Sequence, residues 1–424
     1  MYPPNSSAAL DASSMTDLCR TLIAALALAG SGVTASAETI TVCASGCDYA
    51  SINAAIGAAS DGDVIQLAAE TYFEGEQIDP LGKAITLRGV LDKAGEPASV
   101  LDGAGKHRVL ICQRGETGST VFERLVIENG SGSIGGGMFN GDFSSPSLTN
   151  CTFEGNAADY GGGMFNYNGS SPSLTDCAFT SNSADLGGGM VNHDGSSPAL
   201  ADCAFTDNSA YGGAGGGMFN ELSRSPILID CTFTGNTAYA GAGMYNNRST
   251  PNLTNCTFAG NAANRGGGMD NYFSSPTLAD CTFTSNSARS GGGVFNESSS
   301  PTLVDCTFTS NSAEYSGGGM YNWVSSPILT ACTLCENVPD QIDGSWTDAG
   351  GNCVATSCDD CDPPSDPCPT DLDRNGITDG GDLGVFFVHW GDCQVEDCPA
   401  DFNDDEVVDG IDLGILFSAW GPCR

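Results

Sequence analysis

Near the C-terminus "DLDRNGITDGGD" begins at Asp371, and "DFNDDEVVDGID" begins thirty residues later at Asp401. Oxygen-bearing side chains recur at alternate positions, then again at the ninth and twelfth. In the first copy Asp371, Asp373 and Asn375 stand at positions 1, 3 and 5, with the Ile377 carbonyl at 7, Asp379 at 9 and Asp382 at 12. The second copy offers Asp401, Asn403 and Asp405, the Val407 carbonyl, Asp409 and Asp412. A hard cation such as Ca²⁺ takes six to eight oxygens, and a twelve-residue loop with this stagger brings them round one point. The spacing predicts two Ca²⁺ sites. Gly376 allows the sharp turn at position 6; Glu406 replaces it in the second copy, which is expected to bind more weakly. Each loop runs into an apolar segment, "LGVFFVHWG" or "LGILFSAWG", read as a helix.

Other groups able to do chemistry are sparse. There are only 3 His in 424 residues. His389 lies in an apolar segment and reads as packing. His193 beside Asp194 reads as a loop variation before it reads as an acid–base pair. The glycine run at Tyr211 has no Lys or Ser/Thr after it to hold phosphate. Asp176, Asp202, Asp230, Asp280 and Asp305 recur at equivalent places and read as solvated corners, with a cation or glycan track as the alternative. The net charge of -38, from 14 Lys+Arg against 52 Asp+Glu, argues against nucleic acid and anionic membranes as partners. Carboxylates crowd between Asp359 and Asp412, where Arg374 is the lone cation.

Most of the chain is a repeat. Cys151, Cys177, Cys203, Cys231, Cys256, Cys281, Cys306 and Cys332 follow one another at 25 to 28 residues. Two residues after each comes Phe, from Phe153 to Phe308, with Leu334 in the last unit. Three further on is Asn, from Asn156 to Asn337, and a second Asn closes each glycine stretch, from Asn140 to Asn322. Each unit has three short runs of strand character, "SxL", "CTF" and "GGMxN", and too much Gly and Pro for helix. So small a unit cannot bury its own apolar face and must stack on its neighbours. Three strands per turn predict an all-β fold: a right-handed parallel β-helix, a single-stranded solenoid in which Phe stacks on Phe and Asn bonds to Asn. The Asn is also expected to supply the left-handed corner. "FERLVIEN" fits the same frame, Leu125 taking the Cys place and Ile127 the Phe place, and "VIQL" and "AITL" read as earlier rungs. Eleven or twelve rungs follow, about 50–60 Å long. "YASINAAIGAA" is expected to cap the first rung.

These units resemble the polymorphic outer-membrane-protein type of β-helix repeat, whose marks appear here as "GGGMFN" and "FEGN" or "FTSN" over residues 121–337. That resemblance implies a surface-exposed passenger. The paired loops, each with Asp at position 12 and a single helix behind it, resemble dockerin modules over Cys368–Cys423. This second resemblance implies a small α-helical calcium-binding domain that docks to a cohesin partner on a scaffold or cell surface.

The expected organisation is a signal peptide over 1–37, a capped β-helix over 38–352, a linker over 353–367 and the paired loops over 368–424. The signal rests on Arg20, the apolar "TLIAALALAG" and "ASA" before Glu38, with Met15 as an alternative start. No later segment is long and apolar enough to span a membrane, so the protein is expected to be exported, extracellular or at the cell surface. Thiols packed as small hydrophobes are favoured for the Cys ladder over bridged pairs or a metal–thiolate array. Disulfides are expected at Cys43–Cys47, among Cys353, Cys358 and Cys361, at Cys393–Cys398 and at Cys368–Cys423. Many right-handed β-helices are similar to polysaccharide lyases or hydrolases, whose sites need unique residues. Here the outward residues are expected to repeat on every rung, so no catalytic residue is assigned. The favoured function is non-catalytic: a rod for adhesion, glycan binding or assembly, with a possible polysaccharide ligand along it. A polysaccharide lyase or glycoside hydrolase component of a docked complex is the alternative.

Overall fold

The computed structural model describes residues 37–223, 225–361, 370–372, 377–392, 399–403 and 407–422. The expected signal peptide through residue 36, residues 362–367 of the linker, Asp373, Asn375, Asp405, Cys368, Cys393, Cys398 and Cys423 lie outside the described residues. Residues from Thr39 onward form an all-β right-handed parallel β-helix of about 12 turns. Among the described residues no helix is long and apolar enough to cross a membrane.

The repeat stacks in register. Leu148 pairs with Leu174, Phe153 with Phe179, and Met164 with Met190, each one repeat apart. One sheet carries the Leu and Phe columns and a ten-stranded sheet carries the Met and Asn columns. Phe153, Phe179, Phe205, Phe233, Phe258 and Phe283 stack with ring centroids 4.7 Å apart, their planes within 4°. That is the inter-strand spacing, so the backbone ladder and the ring ladder share one period. Leu, Cys, Phe and Met columns meet in one core that runs the length of the coil.

Two columns of buried Asn run through it. In one, the side-chain amide of Asn166 donates to Oδ1 of Asn192 at 2.8 Å, and this repeats from Asn140 to Asn322. In the other, Oδ1 of Asn208 accepts both the backbone N–H and the side-chain amide of Asn182 at 3.0 Å, while Asn208 Nδ2 donates to the Phe179 carbonyl. A buried amide costs little only when every donor and acceptor is used, and these ladders use nearly all of them.

Two expectations about the corners need correction. The ladder Asn are not the left-handed residues. In the Asn156–Asn337 column that conformation falls to the residue before each, as at Gly155, Ser181 and Asp207, and in the Asn140–Asn322 column to the second residue after, as at Asn168 and Asp194. It also falls to the residue before each ladder Cys, as at Asn150, Asp176 and Ala331. The ladder Asn side chain must point inward, which leaves its neighbour to make the turn. Most regular rungs also have a fourth short strand after the ladder Asn, such as Ala157–Tyr160 or Ser209–Ala214, which the three-strand expectation missed although its second residue is Ala from Ala158 to Ala313. The glycine triplet has steric causes. A Cβ on Gly161, whose φ is 64°, would stand 2.4 Å from the Met164 carbonyl oxygen, and one on Gly163 would stand 2.8 Å from the Phe179 ring.

At the start of the coil, helix α1 (Ile52–Ala58) buries Ile52, Ala55 and Ile56 against the first strands, as the cap expectation requires. Ser51 is its N-cap, the Glu74 carboxylate accepts the N–H groups of Ile52 and Asn53, and Lys83 Nζ donates to the Ile56, Gly57 and Ala59 carbonyls at its other end. The ladder cysteines are buried free thiols, in line with the packed-thiol expectation. Cys43–Cys47 and Cys353–Cys361 form disulfides, and Cys358 bonds to Cys335 on the last regular rung. The strand Cys353–Val354 pairs with Thr333 and Leu334, so the coil continues past the boundary expected at residue 352.

Candidate functional site

Two places depart from the uniform stack. The first is the duplicated C-terminal stretch. Helices α2 (Gly380–Val388) and α3 (Gly410–Ser418) begin in the same way. Asp379 and Asp409 are N-caps, accepting from Gly381 and Ile411 N–H at 2.7 Å. Asp382 and Asp412 sit three residues on and accept the N-cap backbone N–H at 2.7 and 2.9 Å, completing a capping box in each. The ninth and twelfth loop positions are therefore the N-cap and third residue of a helix, which aims both carboxylates back into the loop.

The two copies fold as one unit. Ile377–Thr378 pairs antiparallel with Gly421–Pro422, and Val407–Val408 pairs with Gly391–Asp392, so each loop is closed by the strand after the other copy's helix. Phe386, Ala400, Val408 and Leu416 share one buried cluster. His389 corrects an expectation. It caps the C-terminal end of α2 and is exposed, not packed.

Of the predicted ligands, Asp371, Asp382 and Asp412 are buried, the last two completely. Asp379, Asp401, Asn403 and Asp409 are half-buried, Val407 is half-buried and Ile377 is exposed. Among the described residues no three His, Cys, Asp or Glu converge as a metal cage; Asp373, Asn375 and Asp405 lie outside them. The donor set nevertheless fits a hard cation. Carboxylates fully removed from water need a compensating charge, and the stretch from 368 to 424 has only Arg374 and Arg424. Asp412 already takes two N–H groups on Oδ1, from Phe402 and Asn403, and one on Oδ2. With about four lone-pair sites per carboxylate, these three bonds leave one lone pair, on Oδ2, for a further ligand.

The second place lies on the outer face of the Met–Asn sheet. Strands there read inward at Met and Asn and outward at the two residues between and after them. The first outward column is apolar for most of its length: Phe139, Phe165, Val191, Phe219, Tyr245, then Asp270, Phe295 and Tyr321. A covering column from the preceding loop lies over it, with Tyr160, Leu186, Ala214 and Ala240 followed by Arg265. Phe165, Val191, Ala214, Phe219 and Ala240 make a small apolar cluster outside the main core, with Phe139, Leu186 and Tyr245 packed against it.

Asp270 and Arg265 break both columns on the same rung. Asp270 is fully buried, and Arg265 Nε stands 3.2 Å from its Oδ2. Arg265 Nη1 donates to Glu297 Oε2 at 2.9 Å, and its guanidinium lies 4.9 Å from the centre of the Phe295 ring. Both Asp270 oxygens lack a well-aligned hydrogen bond. Burial pushes the Asp270 carboxyl up to about 7, Arg265 opposing the shift and Glu297 adding to it. The strip of fourth strands is interrupted here too: only isolated bridges at Ala262 and Arg265 connect it between Thr237–Ala240 and Ser287–Ser290. The second outward column runs Tyr167, His193, Glu221, Asn247, Tyr272, Glu297 and Trp323. His193 Nε2 is 3.4 Å from Glu221, and Asn247 donates to Glu221 at 2.9 Å, so the odd histidine belongs to this row and not to a pair with Asp194. The Asp corner residues are exposed or half-buried turns in the left-handed conformation, as at Asp176 and Asp280.

The expectation that outward residues repeat on every rung is thus wrong for this face. Arg265 and Asp270 were legible only as two exceptions in separate columns, at a covering position normally small or aliphatic and at one normally aromatic.

The family comparison agrees with the architecture. The family described as right handed beta helix region matches residues 105–258 and 201–334, and the chain belongs to it. A search of curated proteins finds no match. Among solved structures, one titled "Crystal structure of pectate lyase Pel9A" aligns with 12% identity and a TM-score of 0.36, over 76% of this chain and 80% of that one.

Proposed function

We propose that this is an exported, non-catalytic β-helical rod attached to a protein partner through a calcium-binding, dockerin-like pair of loops. The observation that carries the reading is the buried Asp382 and Asp412, each the twelfth residue of a loop and the third of a helix, in two copies that close one another. Ca²⁺ would be held in the first loop by Asp371, Asp373, Asn375, Asp379, Asp382 and the Ile377 carbonyl. In the second it would be held by Asp401, Asn403, Asp405, Asp409, Asp412 and the Val407 carbonyl, more weakly because Glu406 stands at the turn. Exposed Phe387 and Trp390 after one loop and Phe417 and Trp420 after the other form matching apolar ends that support docking to a cohesin-like partner. Calorimetry on the whole chain, pre-treated with chelator, should give two Ca²⁺ sites of unequal affinity; Asp382→Asn should remove the tighter one. A chain that takes up no Ca²⁺ overturns the reading.

A second reading is a polysaccharide-degrading component brought to its complex by the same loops. The Arg265–Asp270–Glu297 cluster favours it, as a place on the coil's outer face where two carboxylates meet one guanidinium. Release of reducing sugar or unsaturated product from a glycan panel would establish it.

A further inference from the structure

We propose that the outer face of the Met–Asn sheet binds an uncharged linear glycan, with Tyr272, Glu297, Trp323 and Arg265 as its contact residues and Asp270 as the residue that positions Arg265. The inference rests on the coil serving as a ligand-presenting rod and is independent of the C-terminal loops.

The first argument is energetic. On the two rungs before this one a small residue covers an aromatic one, Ala214 over Phe219 and Ala240 over Tyr245. Replacing such a pair by a buried ion pair gains little, since desolvation of both charges offsets their attraction. Packing alone would favour the apolar version on this rung as on its neighbours. What the ion pair adds is a guanidinium held at the surface in a fixed pose, about one-third exposed, braced by Asp270 beneath, Glu297 beside and the Phe295 ring.

The second is charge. The protein carries a net charge of -38, which repels polyanions over its whole length. Arg265 is paired with Asp270 and Glu297, and Arg248 lies over the Phe273 ring one residue after Tyr272, so two cations and two carboxylates leave this patch locally balanced where the molecule is not. A charge-balanced surface complements an uncharged ligand. It offers no cationic track to a uronate chain and no anionic track to a basic peptide.

The third is geometry. Tyr272, Glu297 and Trp323 follow one another on successive rungs of the same column, with Trp323 about half exposed. Aromatic faces accept the apolar C–H face of a sugar ring, and carboxylate and guanidinium groups between them accept and donate to hydroxyls. The whole column spans six rung intervals, about 29 Å along the coil axis, which suits a linear oligomer better than a compact ligand.

Binding of cellohexaose, xylohexaose, mannohexaose and laminarihexaose to the full chain, measured by calorimetry beside polygalacturonate, tests this. At least one neutral hexasaccharide is expected to bind saturably and polygalacturonate not at all. Trp323→Ala should weaken that binding at least tenfold. The paired change Arg265→Ala with Asp270→Phe, which restores the pattern of the neighbouring rungs, should keep or raise the thermal midpoint while weakening binding at least tenfold. Arg265→Lys in the otherwise native chain should retain part of it, a rescue that a purely structural role would not give. The proposal is overturned if no neutral hexasaccharide binds, if polygalacturonate binds instead, or if the paired variant binds as well as the native chain. Ca²⁺ titration of the same samples reads the loops separately, so failure here leaves the docking reading untouched.

Discussion

Asp270→Asn gives a test of the buried cluster in which the sign follows from the geometry. In the unfolded chain the Asp270 carboxyl titrates near 3.8; folded, burial raises it to about 7. A raised carboxyl means the folded state holds the proton more tightly. The stability this contributes is fully present below the unfolded value and is lost as pH rises through about 7. Between pH 5 and 7 the unfolded chain is ionised there while the folded one is still protonated, so stability falls by about 1.4 kcal/mol per pH unit, or about 3 kcal/mol in total. Asn mimics the protonated form at every pH. Its extra buried N–H groups have a fixed cost, and the groups facing it, Arg265, Glu297, Tyr245 and Tyr272, are common to both proteins. Guanidinium titrations of both proteins from pH 5 to 8.5 should therefore show the variant gaining about 3 kcal/mol relative to the native protein. Because solenoids unfold rung by rung when cooperativity fails, amide exchange across Met269–Tyr272 should report the same trend locally. A difference that stays flat across this range would refute the claim that burial raises the Asp270 carboxyl against the opposing pull of Arg265.

Phe233→Ala removes a fully buried ring from between Phe205 and Phe258, and should cost about 3–5 kcal/mol in denaturant titration, with a separate early transition if the coil splits there. Asn208→Leu leaves the Asn182 backbone N–H and side-chain amide without their acceptor, a loss of about 1–3 kcal/mol or more, seen as faster exchange of the Asn182 amide. Gly189→Ala would place a methyl 2.5 Å from the Gly217 carbonyl oxygen and 2.9 Å from the Phe205 ring, and should prevent this rung from closing. Gly57→Ala in α1 meets nothing within 4 Å and should raise stability by about 0.5–1 kcal/mol in the same assay.

Much of the fold was legible because a solenoid converts sequence period into spatial register. Once Cys151 and Cys177 occupy equivalent places, the Phe, Asn, Leu and Met columns follow, since every side chain on a parallel ladder meets its own counterpart. The α1 cap was legible for a related reason: a first rung has no rung before it, and an amphipathic segment stood there to cover it. The loops were legible from oxygen spacing, and the positions assigned to Asp379, Asp382, Asp409 and Asp412 are the N-cap and third helical residues of α2 and α3. Less visible was anything that depends on exceptions. The fourth strand follows each ladder Asn with a small residue and then Ala, from Ala158 to Ala313, but the rest of it varies, because those residues face solvent or a thin cover and need only β-compatible backbone.

The sequence by itself determined the coil, its register and its buried thiols, because those follow from repetition. Only the tertiary structure decided that Arg265 and Asp270, unremarkable when read singly, fall on the same rung and bury a charge where other rungs bury a ring. It also decided that Cys335 reaches past the last regular turn to Cys358 and that each C-terminal loop is closed by the other copy. The physical reason is common to all three. Local propensity and period fix which residues stack along the coil axis, but contacts made across columns, between loop and sheet or between one copy and the next, depend on where the chain returns in space.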